Sequence, residues 1–218
     1  MGIIIKSEEE LAKMAATGRV VCAVLDAVEA ACVPGITTAE LNRIAERELK
    51  KGKARSAFLG YAPGGLPPYP AVLCTSINDV VVHGIPSNGD VLREGDVIGV
   101  DFACYKDGFC ADAARTVAVG VVSAAARALI DTTREALERA IAQCRPGNRL
   151  GIWAQRSRGM RSARVSRSFG ISSVTGSAGQ CTSGPRSPIS VRLDVECACR
   201  KGWPWPSSRC STPVEERF

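Results

Sequence analysis

The sequence predicts an α+β fold in which helices flank an antiparallel sheet, and three observations carry that reading. Ser7 and Thr37 each precede a glutamate by three residues, Glu10 and Glu40, the reciprocal pattern of a capping box at a helix start. Apolar residues then recur at helical spacing. Between β-rich arms, Asp107-Gly108 is the strongest short-range signal for a hairpin, because both turn positions need a positive φ that Gly and Asp adopt at least cost.

Taken in order, the box at Ser7 opens a helix whose apolar side is Leu11, Met14, Val21, Val24, Leu25 and Val28, and Pro34-Gly35 stops it. The box at Thr37 opens a second helix through Leu41, Ile44 and Ala45 to about Lys50. Gly60 to Pro70 holds four prolines and three glycines, which excludes regular structure. Two short strands are expected next, around Ala71 to Thr75 and Asp79 to Val82, the second ending at His83-Gly84-Ile85-Pro86. The hairpin follows from Val97 to Val119, and then a helix from about Ala124 to Cys144. Cys144-Arg145-Pro146-Gly147 echoes Cys32-Val33-Pro34-Gly35, which suggests an internal duplication of a long helix and a Pro-Gly stop. From Gly151 to Phe218 no helical or strand period is sustained, and Trp203-Pro204-Trp205-Pro206 excludes helix interior and central strand, so this tail is expected to be irregular.

The net charge of +6 is unevenly placed. Residues 151–218 hold 11 of the 28 basic residues and 4 of the 22 acidic ones, so the first 150 residues are close to neutral. No stretch has the length of a membrane span, and the apolar N-terminus is too short for a signal-peptide core, which points to a cytoplasmic protein with no membrane partner. In that setting the 10 cysteines read as reduced thiols, several of them buried.

The chemistry gathers on the hairpin. If Asp107 and Gly108 form its loop, Asp101 lies opposite Ala114, and Asp112 lies two residues from Ala114 on the same face. Two carboxylates then converge among Val, Ile, Phe and Ala, where like charges are costly without a cation between them. A divalent metal or a metal pair satisfies them; two solvated aspartates on an exposed face are the plain alternative. His83, the one histidine of the chain, stands beside Gly and Pro, where a side chain can project into a cleft. Tyr61 and Tyr69 suggest that the Gly/Pro-rich loop is a pocket wall.

Thr75 to Pro86, reading TSINDVVVHGIP, together with the two aspartates of VDFACYKDGFCADAARTV, eleven residues apart, resembles the type I methionine aminopeptidases over about Ile5 to Leu150. That resemblance implies the first half of a pita-bread (creatinase/aminopeptidase) fold, whose two pseudo-symmetric halves enclose a two-metal site. It implies removal of the initiator methionine from nascent chains, with Asp101 and Asp112 as metal ligands, His83 a catalytic residue near the scissile peptide, and Cys74, Tyr69 and Tyr61 lining the methionine pocket. The implied cofactors are two divalent ions (Co, Mn, Fe or Zn), and the implied partners are N-terminal Met peptides of nascent chains, met as a monomer working near the ribosome.

The same resemblance implies two further histidines and two glutamates from the second half, which the sequence lacks. Codons legal for Ser173 to Ser183, read from the third base, allow Gly-His-Gly-Ile-Gly-Arg-Ala-Met-His-Glu, a string similar to that histidine segment. The expectation is therefore an N-terminal catalytic half over residues 1–150, an out-of-frame tail over 151–218, and an inactive or strongly impaired chain. Two other readings stand beside it. One is a non-enzymatic nucleic-acid-binding protein using the basic, Trp-containing tail; the other is a prolidase-like relative sharing the fold.

Overall fold

A computed structural model describes residues 5–144 and Ser208–Arg209. Helix α1 (Glu8–Ala31) and helix α2 (Thr38–Lys51) both start on complete capping boxes, with the Ser7 and Thr37 hydroxyls accepting from the Glu10 and Glu40 N–H groups and each glutamate reaching back. Gly35, at φ 96°, turns the chain between them. Strand β1 (Arg55–Ser56) was not legible in the sequence, since two residues carry no period. A single 3₁₀ turn at Pro63–Gly65 sits within the Gly/Pro-rich loop. Strands β2 (Cys74–Ile77), β3 (Val97–Lys106) and β4 (Phe109–Ala118) precede helix α3 (Ala124–Ile141). Ser208–Arg209 forms β5.

All strand pairs are antiparallel. One edge of β3 is flanked by β1 at Cys104 and Tyr105 and by β2 from Ile98 to Asp101; the other carries β4 along its whole length. β5 lies outside β4 at Ala114 and Arg115. The turn is Asp107-Gly108, at φ 51° and 83°, as the two-residue loop requires. On β3 the even residues Ile98, Val100, Phe102 and Cys104 face α1, and they join Val21, Val24, Leu25, Val28, Leu41 and Leu73 in one core. Burying these side chains, each worth roughly 1.5–3 kcal/mol against exposure, holds α1 across the hairpin.

Two strand expectations are corrected. The one placed at Ala71 to Thr75 begins three residues later, because the N–H groups of Val72 and Leu73 donate to Asn42 Oδ1 at 3.0 and 3.2 Å and are not spent on a ladder. The one placed at Asp79 to Val82 is a loop. Asn78, at φ 53°, ends β2, and its side chain accepts from Val97 N–H at 3.0 Å and donates to Asp96 at 2.9 Å. The chain then returns so that Thr75 N–H donates to Gly84 O at 2.9 Å. Val80, Val81 and Val82 are left exposed, so three β-branched residues without alternation were a false strand signal. Helix α3 stops at Ile141, short of Cys144. The expectations for the tail fall outside the described residues, apart from the short strand β5. Of the six described cysteines four are buried, Cys32, Cys74, Cys104 and Cys110. Among the described residues no helix is long and apolar enough to cross a membrane.

Candidate metal centre

The hairpin register places Asp101 opposite Ala114 and Ala103 opposite Asp112, so both aspartates stand on the face of the sheet turned away from α1. Each is half-buried and has its Oδ1 sealed from solvent, which removes the plain reading of two solvated aspartates. The two carboxyl groups lie within hydrogen-bonding reach of one another. Burial, then the Asp101 charge and that hydrogen bond, hold the Asp112 carboxyl well above its ordinary pKa. Such a pair needs either a shared proton or a cation.

β2 brings Cys74 directly opposite Asp101. Burial pushes the Cys74 thiol up to about 12; contact with Tyr69 opposes this, and the two aspartate charges add to it. Cys74 is therefore a neutral, apolar wall at physiological pH. The Tyr69 hydroxyl is shared between the carbonyls of Gly84 at 2.9 Å and Leu73 at 3.2 Å. Burial, contact with Cys74 and the Asp101 charge raise its pKa and keep it protonated. Its ring meets Phe58 edge-on, with centroids 6.3 Å apart.

Cys74, Tyr69, Asp101 and Asp112 thus form one electrostatic neighbourhood. His83 and Tyr61 are placed differently. His83 does not end a strand; it sits exposed at φ 59° in the loop, joined to the cluster through its neighbour Gly84. Tyr61 is 52% exposed, and its carbonyl accepts from Tyr69 N–H at 2.9 Å, closing the base of the Gly/Pro-rich loop. Sequence reading missed the close approach of Gly84 to β2. A Cβ on Gly84 would stand 2.0 Å from Thr75 O, so only glycine lets the loop lie against the strand. The one signal for it was the His-Gly-Ile-Pro punctuation.

The donor set suits a hard divalent cation: two carboxylates whose mutual repulsion such an ion would cancel. Among the described residues no group of three or more His, Cys, Asp or Glu side chains is arranged to hold a metal. Asp101 and Asp112 therefore fit as the acidic part of such a centre, and no third ligand joins them among the described residues.

Residues 12–170 match the model of metallopeptidase family M24. The chain belongs to that family. The match runs past Leu150, where the sequence places the start of the tail. Over 150 residues this M24 chain is 43% identical to methionine aminopeptidase B of Synechocystis sp., covering 69% of this chain and 55% of that one. It is 46% identical over 169 residues to methionine aminopeptidase 1 of Mycobacterium tuberculosis, covering 76% and 62%. It spans a little over half the length of these relatives. The crystal structure of methionine aminopeptidase from Thermotoga maritima superposes with a TM-score of 0.68 at 34% identity, over 74% of this chain and 63% of that one. Escherichia coli aminopeptidase P, at 21% identity, TM-score 0.61 and 73% and 34% coverage, shares the fold. The M24 chain thus carries the first part of the pita-bread fold, as its sequence implied.

Proposed function

We propose that residues 1–150 are the N-terminal half of a methionine aminopeptidase catalytic domain, which removes the initiator methionine from nascent proteins by two-metal hydrolysis in the cytoplasm. The observation that supports this most is the Asp101–Asp112 pair, half-buried on one face of the hairpin with Cys74 and Tyr69 beside it. Divalent ions held there would supply Lewis acidity toward a peptide carbonyl and make water a nucleophile near neutral pH. Asp101 and Asp112 hold the charge that such ions require. Cys74, neutral and buried, and the ring of Tyr69 offer the uncharged wall that a methionine side chain fits. Tyr69 and Gly84 fix the base of the loop that presents His83, and His83 contacts the substrate near the scissile peptide.

The reading extends to a tail translated out of frame over residues 151–218 and to impaired activity. Two carboxylates alone bind first-row divalent ions poorly, and the described residues add no third ligand. The chain as it stands is expected to release little or no methionine from Met-Ala-Ser with Co, Mn or Fe, while a version with the downstream frame restored turns it over readily. Robust hydrolysis by the unaltered chain overturns the impairment. A gene whose codons beyond Leu150, read from the third base, give no histidine-bearing segment overturns the frame change.

A further inference from the structure

We propose that the chain carries a docking surface for the phosphate backbone of RNA at the junction of α1, the end of α2 and the hairpin tip. The segment Lys50-Lys51-Gly52-Lys53-Ala54-Arg55 supplies four cations in six residues, and all four side chains are exposed. Folding adds two more from distant parts of the chain. Arg19 of α1 and Lys106 of the hairpin line one groove together with Lys51 and Gly52. Lys106 Nζ donates to Gly52 O at 2.9 Å, and its own carbonyl accepts from the Thr17 hydroxyl at 3.2 Å, so the tip is tied to both helices. Arg55 lies 4.6 Å above the Tyr105 ring, which holds its guanidinium in place before any ligand arrives.

A structural reading accounts for only part of this. Cations favour the carbonyl end of a helix, and Lys50, Lys51 and Lys106 sit at that end of α2. Arg19, Lys53 and Arg55 gain nothing from the helix end. Acidic groups in the patch are Glu48, which is bound to Lys51 at 2.6 Å, and Asp107 at the exposed tip. Six cations against two carboxylates leave a positive field, while the other residues of the first 150 are net acidic. The Tyr105 ring is covered by Arg55, and Phe109 at the tip lies under Lys6 Nζ at 6.0 Å, so neither offers a bare platform for base stacking. Binding should therefore follow phosphates, ignore sequence and weaken steeply with salt.

The test is fluorescence anisotropy of the full chain with a labelled RNA of about 20 nucleotides and mixed sequence, between about 50 and 200 mM salt. The variant K50Q/K51Q/K53Q/R55Q, shown by thermal melting to fold as the parent does, should bind at least about tenfold more weakly, with a salt slope shallower by roughly 0.7 for each phosphate that is no longer neutralised. A second variant, R156Q/R158Q/R161Q/R164Q/R167Q, removes charge from the tail and should keep most of the affinity. The proposal is overturned if the parent does not bind RNA, if the first variant binds as the parent does, if the tail variant alone abolishes binding, or if the parent prefers phosphatidylserine vesicles to RNA.

Discussion

The two faces of the β3–β4 hairpin share one backbone and respond to burial in opposite ways. Toward α1 stand Ile98, Val100, Phe102 and Cys104, all fully buried, and Arg115, the buried ion on that face, has two carboxylates at 2.6 and 2.7 Å. On the opposite face Asp101 and Asp112 meet each other with like charge. One face is stabilised as it stands. The other is held in a state that only a proton or a cation relieves. The side chains alternate strictly between the faces, so the ladder that perfects the core also forces the carboxylates together.

Emptying the helix face should have the largest effect. Phe102→Ala removes a fully buried ring under α1 and is expected to cost about 3–5 kcal/mol in urea melts; a loss below roughly 1 kcal/mol would mean that α1 does not rest on this strand. Next comes Arg115→Met, which leaves Asp26 and Glu29, both well exposed, to be solvated by water. Its expected cost of about 1–3 kcal/mol is smaller than that of breaking a fully buried pair.

The carboxylate face should answer with the opposite sign. Asp112→Asn relieves the like-charge pair and should stabilise the metal-free chain by roughly 1–2 kcal/mol at neutral pH, a sign that no core truncation gives. Because the Asp112 carboxyl is held above its ordinary pKa, its protonated form is favoured by folding. That stability is present in acid and is lost as pH rises through the raised value, so melts from acid to neutral pH should slope in the parent and flatten in the variant. Because the two carboxylates alone hold such ions weakly, only a large excess of Mn should raise the parent's melting temperature, and it should leave the variant's unchanged; an equal rise in both would place the cation elsewhere. The smallest effect is expected for Tyr69→Phe, which removes the hydroxyl from the Gly84 and Leu73 carbonyls and should cost about 1 kcal/mol. Faster hydrogen exchange at Thr75 N–H, which donates to Gly84 O, would report the same loosening of the His83 loop.

Legibility in the sequence followed the range of the interaction. The two capping boxes, the Asp107-Gly108 turn and the facing of Asp101 and Asp112 were all readable because each depends on residues a few positions apart or on a period of two. The start of β2 was misplaced because Asn42, some thirty residues away, takes the Val72 and Leu73 N–H groups. The run Val80-Val81-Val82 read as a strand because its branched residues match strand preference, while Asn78 and the return of Gly84 to Thr75 decide otherwise. The basic patch was half visible: Lys50 to Arg55 is a run in the sequence, but Arg19 and Lys106 join it only through folding.

By itself, then, the sequence determined the helices, the hairpin and its register, and which two carboxylates share a face, since hydrophobic period and turn chemistry act locally. Tertiary structure alone decided what those carboxylates meet. It set Cys74 opposite Asp101, tied Tyr69 to Gly84, left His83 exposed on its loop and assigned Arg115 to α1. Pairing across a ladder or between layers joins residues whose separation along the chain carries no information about their distance in space.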